Sequence, residues 1–432
     1  MMIPSGINRS IRLATLVIAV AVSPTFCQEK KVSGVPSPGD EDPKTIVAGP
    51  LTFTEHQILH GYTYAYGIAT ADFDDDGDLD LTSADAEWNS NLYLLLNDGK
   101  GKFTHSFIQR YKEEENQPIR LERHDVGDID RDGDLDVVIV DNMKWDIRWF
   151  ANPGEEHITE PWKLNRVAQE KEVPGSYDVA LADLDDDGDL DVAASSWRFG
   201  NRFDWFENIG SPGDGSEWKR HEVDAEIGET RTIAIVDFNR DGKPDLLGTS
   251  RTGHTVMWYA NPKNPKTNQW KKTIIDDKTM FPAHGHPVDM DKDGDMDVIM
   301  AYGIAGGDTS ESHQIAWYEN VGKPGLGTEW KKHDIVHNFL HAFEAVAADL
   351  DDDGDVDVVG TGWSADGRIA WFENTGDPKG EWKMHMLKTP WTNAVTVIVA
   401  DLDGDKRLDI AACAERTDNE LRWWRNEGPT KK

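Results

Sequence analysis

Asp183-Leu184-Asp185-Asp186-Asp187-Gly188-Asp189-Leu190-Asp191 places carboxylates at loop positions 1, 3, 5 and 9, with a glycine at 6. Like charges at this density require a cation between them. Several hard oxygen ligands suit calcium, which takes carboxylate and carbonyl oxygens in a flexible shell. The glycine permits the sharp turn, and position 7 would lend its backbone carbonyl. An EF-hand would need a glutamate at position 12 and a helix after it. Here position 12 is Ala194, and Val192-Ala193-Ala194-Ser195 reads as a buried strand. The stretch is therefore a calcium loop joining two β-strands.

The same nonapeptide recurs seven times, at a spacing of roughly 50–60 residues, a length expected of propeller blades. The expected ligands at positions 1, 3, 5 and 9 are Asp72, Asp74, Asp76 and Asp80 in the first copy and Asp128, Asp130, Asp132 and Asp136 in the second. The third offers Asp183, Asp185, Asp187 and Asp191, and the fourth Asp237, Asn239, Asp241 and Asp245. Asp289, Asp291, Asp293 and Asp297 follow, then Asp349, Asp351, Asp353 and Asp357, then Asp401, Asp403, Asp405 and Asp409. The last copy is the most irregular, with Lys406 in place of the glycine. Up to seven structural calcium ions are expected.

A chain of 432 residues can bury a large core, and the repeats argue for one domain. The formal net charge is −35, but the seven loops hold 35 of the 80 acidic residues, so metal binding explains most of it. No basic patch or stripe stands out, which disfavours nucleic acid. Arg9 and Arg12, the apolar run Leu13 to Val22 and the small residues Thr25 and Cys27 form a signal-peptide pattern over residues 1–27, so export is expected. Lipoprotein anchoring at Cys27 is the rival reading, and Phe26 is a poor residue before a lipidated cysteine. The apolar run is too short to span a membrane and no other occurs. Cys413 would then be the one thiol of the exported chain, packed in a strand.

Residues 28–50, rich in Lys, Pro, Gly, Ser and acids, read as a flexible spacer. From residue 51 each repeat carries four strand signals. The third strand holds an aromatic pair followed by asparagine, as in Trp205-Phe206-Glu207-Asn208 and Trp371-Phe372-Glu373-Asn374. Adjacent strand residues point to opposite faces, so both faces of the sheet need covering, as neighbouring blades provide. The fourth strand recurs as Trp218-Lys219-Arg220-His221 and Trp330-Lys331-Lys332-His333, its histidines expected at the surface. The seventh repeat stops after its third strand, whereas Leu51–Ile58 matches the fourth strand of the first. Residues 51–59 should complete the last blade and close the ring, removing an exposed edge. The expectation is an all-β, single seven-bladed propeller of four-stranded antiparallel blades over residues 51–428, with a tail at 429–432.

These repeats resemble the FG-GAP/VCBS-type repeats of calcium-loop β-propellers, the architecture also used by integrin alpha subunits. The match is nearer to the exported microbial repeat proteins, because integrin-style Phe-Gly and Gly-Ala-Pro signatures are not evident. The resemblance implies structural calcium and functions ranging from adhesion and sugar binding to carbohydrate lyase or dehydratase chemistry, so it selects none of them.

Calcium loops and the turns after the third strand share one face of the disc. The other face carries longer, less uniform loops, where binding or chemistry is expected. Tyr64, Tyr66, Trp88, Trp145, Tyr177, Trp197, Trp363 and Trp391 lie there and could stack on sugar rings, with Arg120, Arg198, Arg231 and Arg251 among their neighbours. Five residues before each first ligand stand Gly67, Arg123, Asp178, Thr232, His284, Glu344 and Thr396. Arg123, Asp178, His284 and Glu344 could form a general acid/base set or a plain ion-pair ring, and His284 with His286 could hold a transition metal. The leading expectation is a carbohydrate or cell-surface recognition module. A polysaccharide lyase or sugar dehydratase at the channel mouth is second, and a protein-adhesion module third.

Overall fold

The computed structural model describes residues 36–86, 90–110, 119–210, 213–304 and 313–431. Seven antiparallel sheets follow one another in chain order around a central axis, each built on four strands running outward, and the last carries two further short strands on its outer edge. In the third blade these are Ser176–Ala182, Asp191–Ser196, Arg202–Asn208 and Trp218–Asp224. The seventh is built from Ala394–Ala400, Asp409–Ala414 and Glu420–Pro429, and its fourth strand is Leu51–His60, paired along Glu420–Pro429. The chain ends thus close an all-β seven-bladed propeller.

Residues 28–50 are not wholly a spacer. Lys44–Ala48 pairs with Leu51–Glu55 through a two-residue turn at Gly49-Pro50, and Ser37–Pro38 pairs with Leu59 and His60. Gly49 takes the left-handed conformation such a hairpin turn needs (φ 69°). Arg422, almost fully buried, draws this edge in through ion pairs to Glu41, Glu55 and Glu420. Most residues of this strand are exposed, Val47 at 63%, so the sequence carries no apolar alternation to mark it. The signal-peptide pattern lies outside the described residues.

The core is divided into seven apolar layers, one at each junction between blades. The aromatic pairs create this division. Trp205 packs toward blade 4 and Phe206 toward blade 2, both essentially inaccessible. The fourth-strand histidines are not free surface groups. His221 stacks on Trp205 at 4.4 Å and meets Glu207 at 2.6 Å, and His333 repeats this with Trp317 and Glu319.

The asparagine after each aromatic pair does more than begin a turn. Asn97 Nδ2 donates to Leu402 O of the seventh blade at 2.7 Å, and Asn152 Nδ2 donates to Phe73 O of the first at 2.9 Å. The same clasp joins Asn208 to Ile129, Asn261 to Leu184, Asn320 to Phe238 and Asn426 to Leu350. Each accepting carbonyl is position 2 of an Asp loop, so the loops are tied to neighbouring blades.

Candidate functional site

Each Asp loop wraps backbone N–H groups around its own carboxylates. In the third copy the N–H of Gly188 donates to Asp183 Oδ2 at 2.8 Å, and Asp191 accepts from the N–H groups of Leu184 and Asn208. Position 6 lies at φ between 82° and 101° in the six glycine-bearing copies, beyond ordinary side chains. Lys406 takes φ 72° at this position and its N–H reaches Asp401 Oδ2 at 2.8 Å, so the seventh loop keeps the turn at a cost of about 1–2 kcal/mol.

Ligand oxygens of Asp72, Asp74 and Asp80 come within 4.8 Å of one another, as do those of the second, third and fifth copies at positions 1, 3 and 9. In the sixth the cluster is Asp349, Asp351 and Asp353. Buried oxygens of Asp74, Asp130, Asp289 and Asp351 have no hydrogen-bond partner among the described residues. Burial pushes the Asp191 carboxyl up to about 8 in spite of its two N–H donors. Orphaned, crowded, desolvated carboxylates fit a hard divalent cation, which would supply the missing charge. Three copies already meet a basic group at position 3. Lys266 Nζ lies 2.6 Å from Asp185, Lys379 Nζ 2.9 Å from Asp291, and Arg425 Nε 2.5 Å from Asp403.

The opposite face is organised around the axis. There all seven blades line a mouth cavity of about 240 Å³, which holds Tyr64, Tyr66, Tyr177, Trp197 and Trp363 of the expected aromatic set. Trp145 stands outside it, tilted against Phe199 at 5.3 Å. Trp391 is a correction: it is fully buried and its Nε1 donates to Glu420, so it belongs to the core. Trp88 lies outside the described residues. Guanidinium groups, rather than open space, cover the aromatic faces. Arg120 and Arg416 lie over Tyr64 at 5.2 and 5.1 Å, and Arg198 and Arg231 over Trp197 at 4.0 and 4.2 Å.

Below the mouth, four buried rings close the channel. The hydroxyls of Tyr66 and Tyr177 are 2.7 Å apart, and the Tyr177 hydroxyl is 2.9 Å from His284 Nε2. Phe343 completes the circuit against His284 and Tyr66. Next comes the ion-pair layer. Arg123 donates to both oxygens of Glu344, at 3.3 and 2.8 Å, and to Asp178 at 3.1 Å, while His286 Nε2 lies 3.2 Å from Glu344. A larger channel cavity of about 740 Å³ continues toward the Asp loops.

Burial and pairing together set the electrostatics of this layer. Burial alone would raise the Glu344 carboxyl, but the Arg123 charge and the His286 contact outweigh it and hold it well below the usual range. Burial, with Arg123 acting in the same sense, keeps His284 neutral far below the ordinary histidine value. Asp178 is held up at about 6, by burial first. His284 and His286 share a strand face, but each ring nitrogen of His284 faces a hydroxyl, that of Tyr177 or Thr232.

Sequence reasoning missed Glu122, Phe343, Glu229, Glu415 and Arg416, all of which line the mouth. One further step back from the first ligands would have found the first two, together with Tyr66, Tyr177 and Arg231. Every inner strand has a register shift near this level, for example between Ser176 and Asp178 and between Ala342 and Glu344. A bulge breaks the two-residue alternation, so consecutive residues approach the axis.

Among known families, the FG-GAP-like repeat matches residues 72–139, 128–194, 183–248, 237–300 and 349–412. The chain belongs to the FG-GAP-like repeat family. No curated protein matches this FG-GAP protein. Among solved structures, BBS1N in complex with ARL6DN, soaked with lead, is similar with a TM-score of 0.52 at 10% identity, over 89% of this chain and 96% of that one. At that identity the likeness concerns the fold alone. No helix among the described residues is long and apolar enough to cross a membrane.

Proposed function

We propose that this FG-GAP protein is an exported recognition module, with calcium in its Asp loops and a carbohydrate bound at the mouth on the opposite face. The mouth cavity carries the reading. All seven blades contribute to it, and it combines aromatic edges with carboxylate and guanidinium groups in a concave site closed at its floor. Convergent polar groups within an aromatic frame suit a hydroxyl-rich ligand. The Asp loops, on the other face, act as staples that keep the blades in register.

The lyase or dehydratase reading receives less support. Of its proton-moving candidates, His284 is itself one of the septum rings and is engaged by Tyr177, and Glu344 lies beneath them, engaged by Arg123. A glycan array probed with the purified protein, in calcium and in chelator, tests the proposal. Binding of defined glycans, weakened by Trp197→Ala or Trp363→Ala, is expected. An array without binders would overturn the carbohydrate reading in favour of a protein ligand. New ultraviolet absorbance on incubation with acidic polysaccharides, abolished by His284→Ala, would overturn it in favour of a lyase.

A further inference from the structure

Positive charge in the mouth is unevenly distributed. On the side of blades 7, 1 and 2, each arginine has its own acid: Arg120 meets Glu122 at 2.7 Å and Arg416 meets Glu415 at 3.2 Å. On the side of blades 3 and 4, three arginines have one glutamate within ion-pair distance among the described residues. Glu229 lies 2.8 Å from Arg251 and 3.6 Å from Arg231, while Arg198 is exposed and has no ion pair among the described residues. The local excess of cation stands out in a chain of net charge −35.

Arg231 is the sharpest case. Its residue is only 8% exposed, and its guanidinium lies over both Tyr177 at 4.5 Å and Trp197 at 4.2 Å, two rings in contact with each other. Its Nε has no hydrogen-bond partner among the described residues, and neither does that of Arg251. A buried charge is costly unless paired and hydrogen-bonded; Arg231 has a long ion pair to Glu229 and the Tyr177 side chain beside it, and its Nε is left without an acceptor among the described residues. The aromatic faces hold the guanidinium plane in place, so the donors are organised before a ligand arrives. Across the mouth, Glu122 and Glu415 each keep one buried carboxylate oxygen without a partner. The cavity therefore lacks an anion on one side and hydroxyl donors on the other. At 240 Å³ it is smaller than the roughly 300–1,000 Å³ typical of drug-sized ligands, and the septum prevents passage.

We infer that the mouth takes the terminal residue of an acidic saccharide, with its carboxylate or sulfate against Arg198, Arg231 and Arg251 and its hydroxyls toward Glu122 and Glu415. The inference rests on the carbohydrate reading above and adds the charge of the sugar. It is tested by calorimetric titration of the full chain in calcium with trigalacturonate, a trisaccharide ending in galactose 6-sulfate, and neutral galactotriose. At least one acidic probe should bind about tenfold or more tightly than galactotriose, with affinity falling as salt rises. Preference between the two acidic probes identifies carboxylate or sulfate. Arg198→Gln, at an exposed position that leaves folding intact, and Arg231→Gln should each weaken binding about tenfold. Lys100→Gln on the other face, with the same charge change, should not. Equal affinity for galactotriose, or indifference to both arginine variants, overturns the anion and leaves carbohydrate recognition standing. Failure of all three probes also overturns the inference, whereas the broader reading falls only if the glycan array is empty as well.

Discussion

Arg123 of the second blade forks onto both carboxylate oxygens of Glu344 of the sixth, at 3.3 and 2.8 Å across the propeller axis. Their side chains are only 12% and 1% exposed, so this is a buried, bidentate ion pair between elements 221 residues apart. Breaking it from one side strands a charge in the channel. Glu344→Gln and Arg123→Met should each destabilise the fold by about 3–5 kcal/mol in denaturant titrations. The double change Arg123→Met with Glu344→Leu should recover part of that loss. Single variants with unaltered midpoints would show that Asp178 or water, and not Glu344, satisfies Arg123.

The same pair gives a pH dependence with a definite sign. Glu344 is depressed in the folded state, so its contribution is present above the ordinary glutamate value of about 4.3 and is lost as pH falls toward the folded value. The stability gap between wild type and Glu344→Gln should therefore be largest near neutrality and shrink below about pH 4. Comparing the two proteins cancels the acid response of the Asp loops. A gap that widens on acidification would contradict the Arg123 pairing.

Chelation should lower the melting temperature, since each occupied site adds about 2.7 kcal/mol at a hundredfold excess of ion over its dissociation constant. The loops should not respond alike. Lys266 already pairs with Asp185 of the third loop and with Glu207, whereas Asp74 of the first has no ion pair among the described residues. Asp74→Asn should therefore lose more calcium-dependent stabilisation than Asp185→Asn. Lys266→Met should lower the melting temperature more in chelator than in calcium. Identical shifts in both media would remove any role for that lysine as a stand-in cation.

The junction between first and last blades depends on Asn97, whose buried amide bridges Leu79 O and Leu402 O. Asn97→Ala should cost about 1–3 kcal/mol by leaving these carbonyls without their donor. Hydrogen exchange should quicken first in Leu51–His60 and Glu420–Pro429, the strands that close the ring. Uniform exchange across all blades would mean that closure is not the weak point.

The outer hairpin gives a further prediction. Deletion through Gly49 removes Lys44–Ala48 and the Glu41 partner of Arg422 while sparing Leu51–His60. A lowered melting temperature with a folded monomer at low concentration, and edge-mediated aggregation as concentration rises, are expected. Deletion through His60 should prevent folding of the last blade. Size-exclusion chromatography and thermal melts of the two truncations separate these outcomes.

Sequence alone determined the blade number, the strand order, the Asp loops, the aromatic layers and the closing strand, because each is written in local spacing or alternation. An Asp-x-Asp-x-Asp-Gly turn and a Trp-Phe pair specify their own conformation and their own two faces without reference to distant residues. The polar lining of the axis was legible only as candidates. Arg123, Asp178, His284 and Glu344 could be placed at one level, but their pairing required knowing which inner strands face each other across the ring. The mouth was hidden further, because bulges in the inner strands turned Glu122 and Phe343 toward the axis against strict alternation. The N-terminal hairpin was missed for another reason, since its stability comes from Arg422 and the edge of the last blade more than from its own apolar pattern. Arg416 reaches the Tyr64 hydroxyl across 352 residues at 3.2 Å, and Trp391 is lost to the core against Trp424. Periodicity tells which way a side chain points from its own strand, whereas what it meets there is set by the closure of seven blades around one axis.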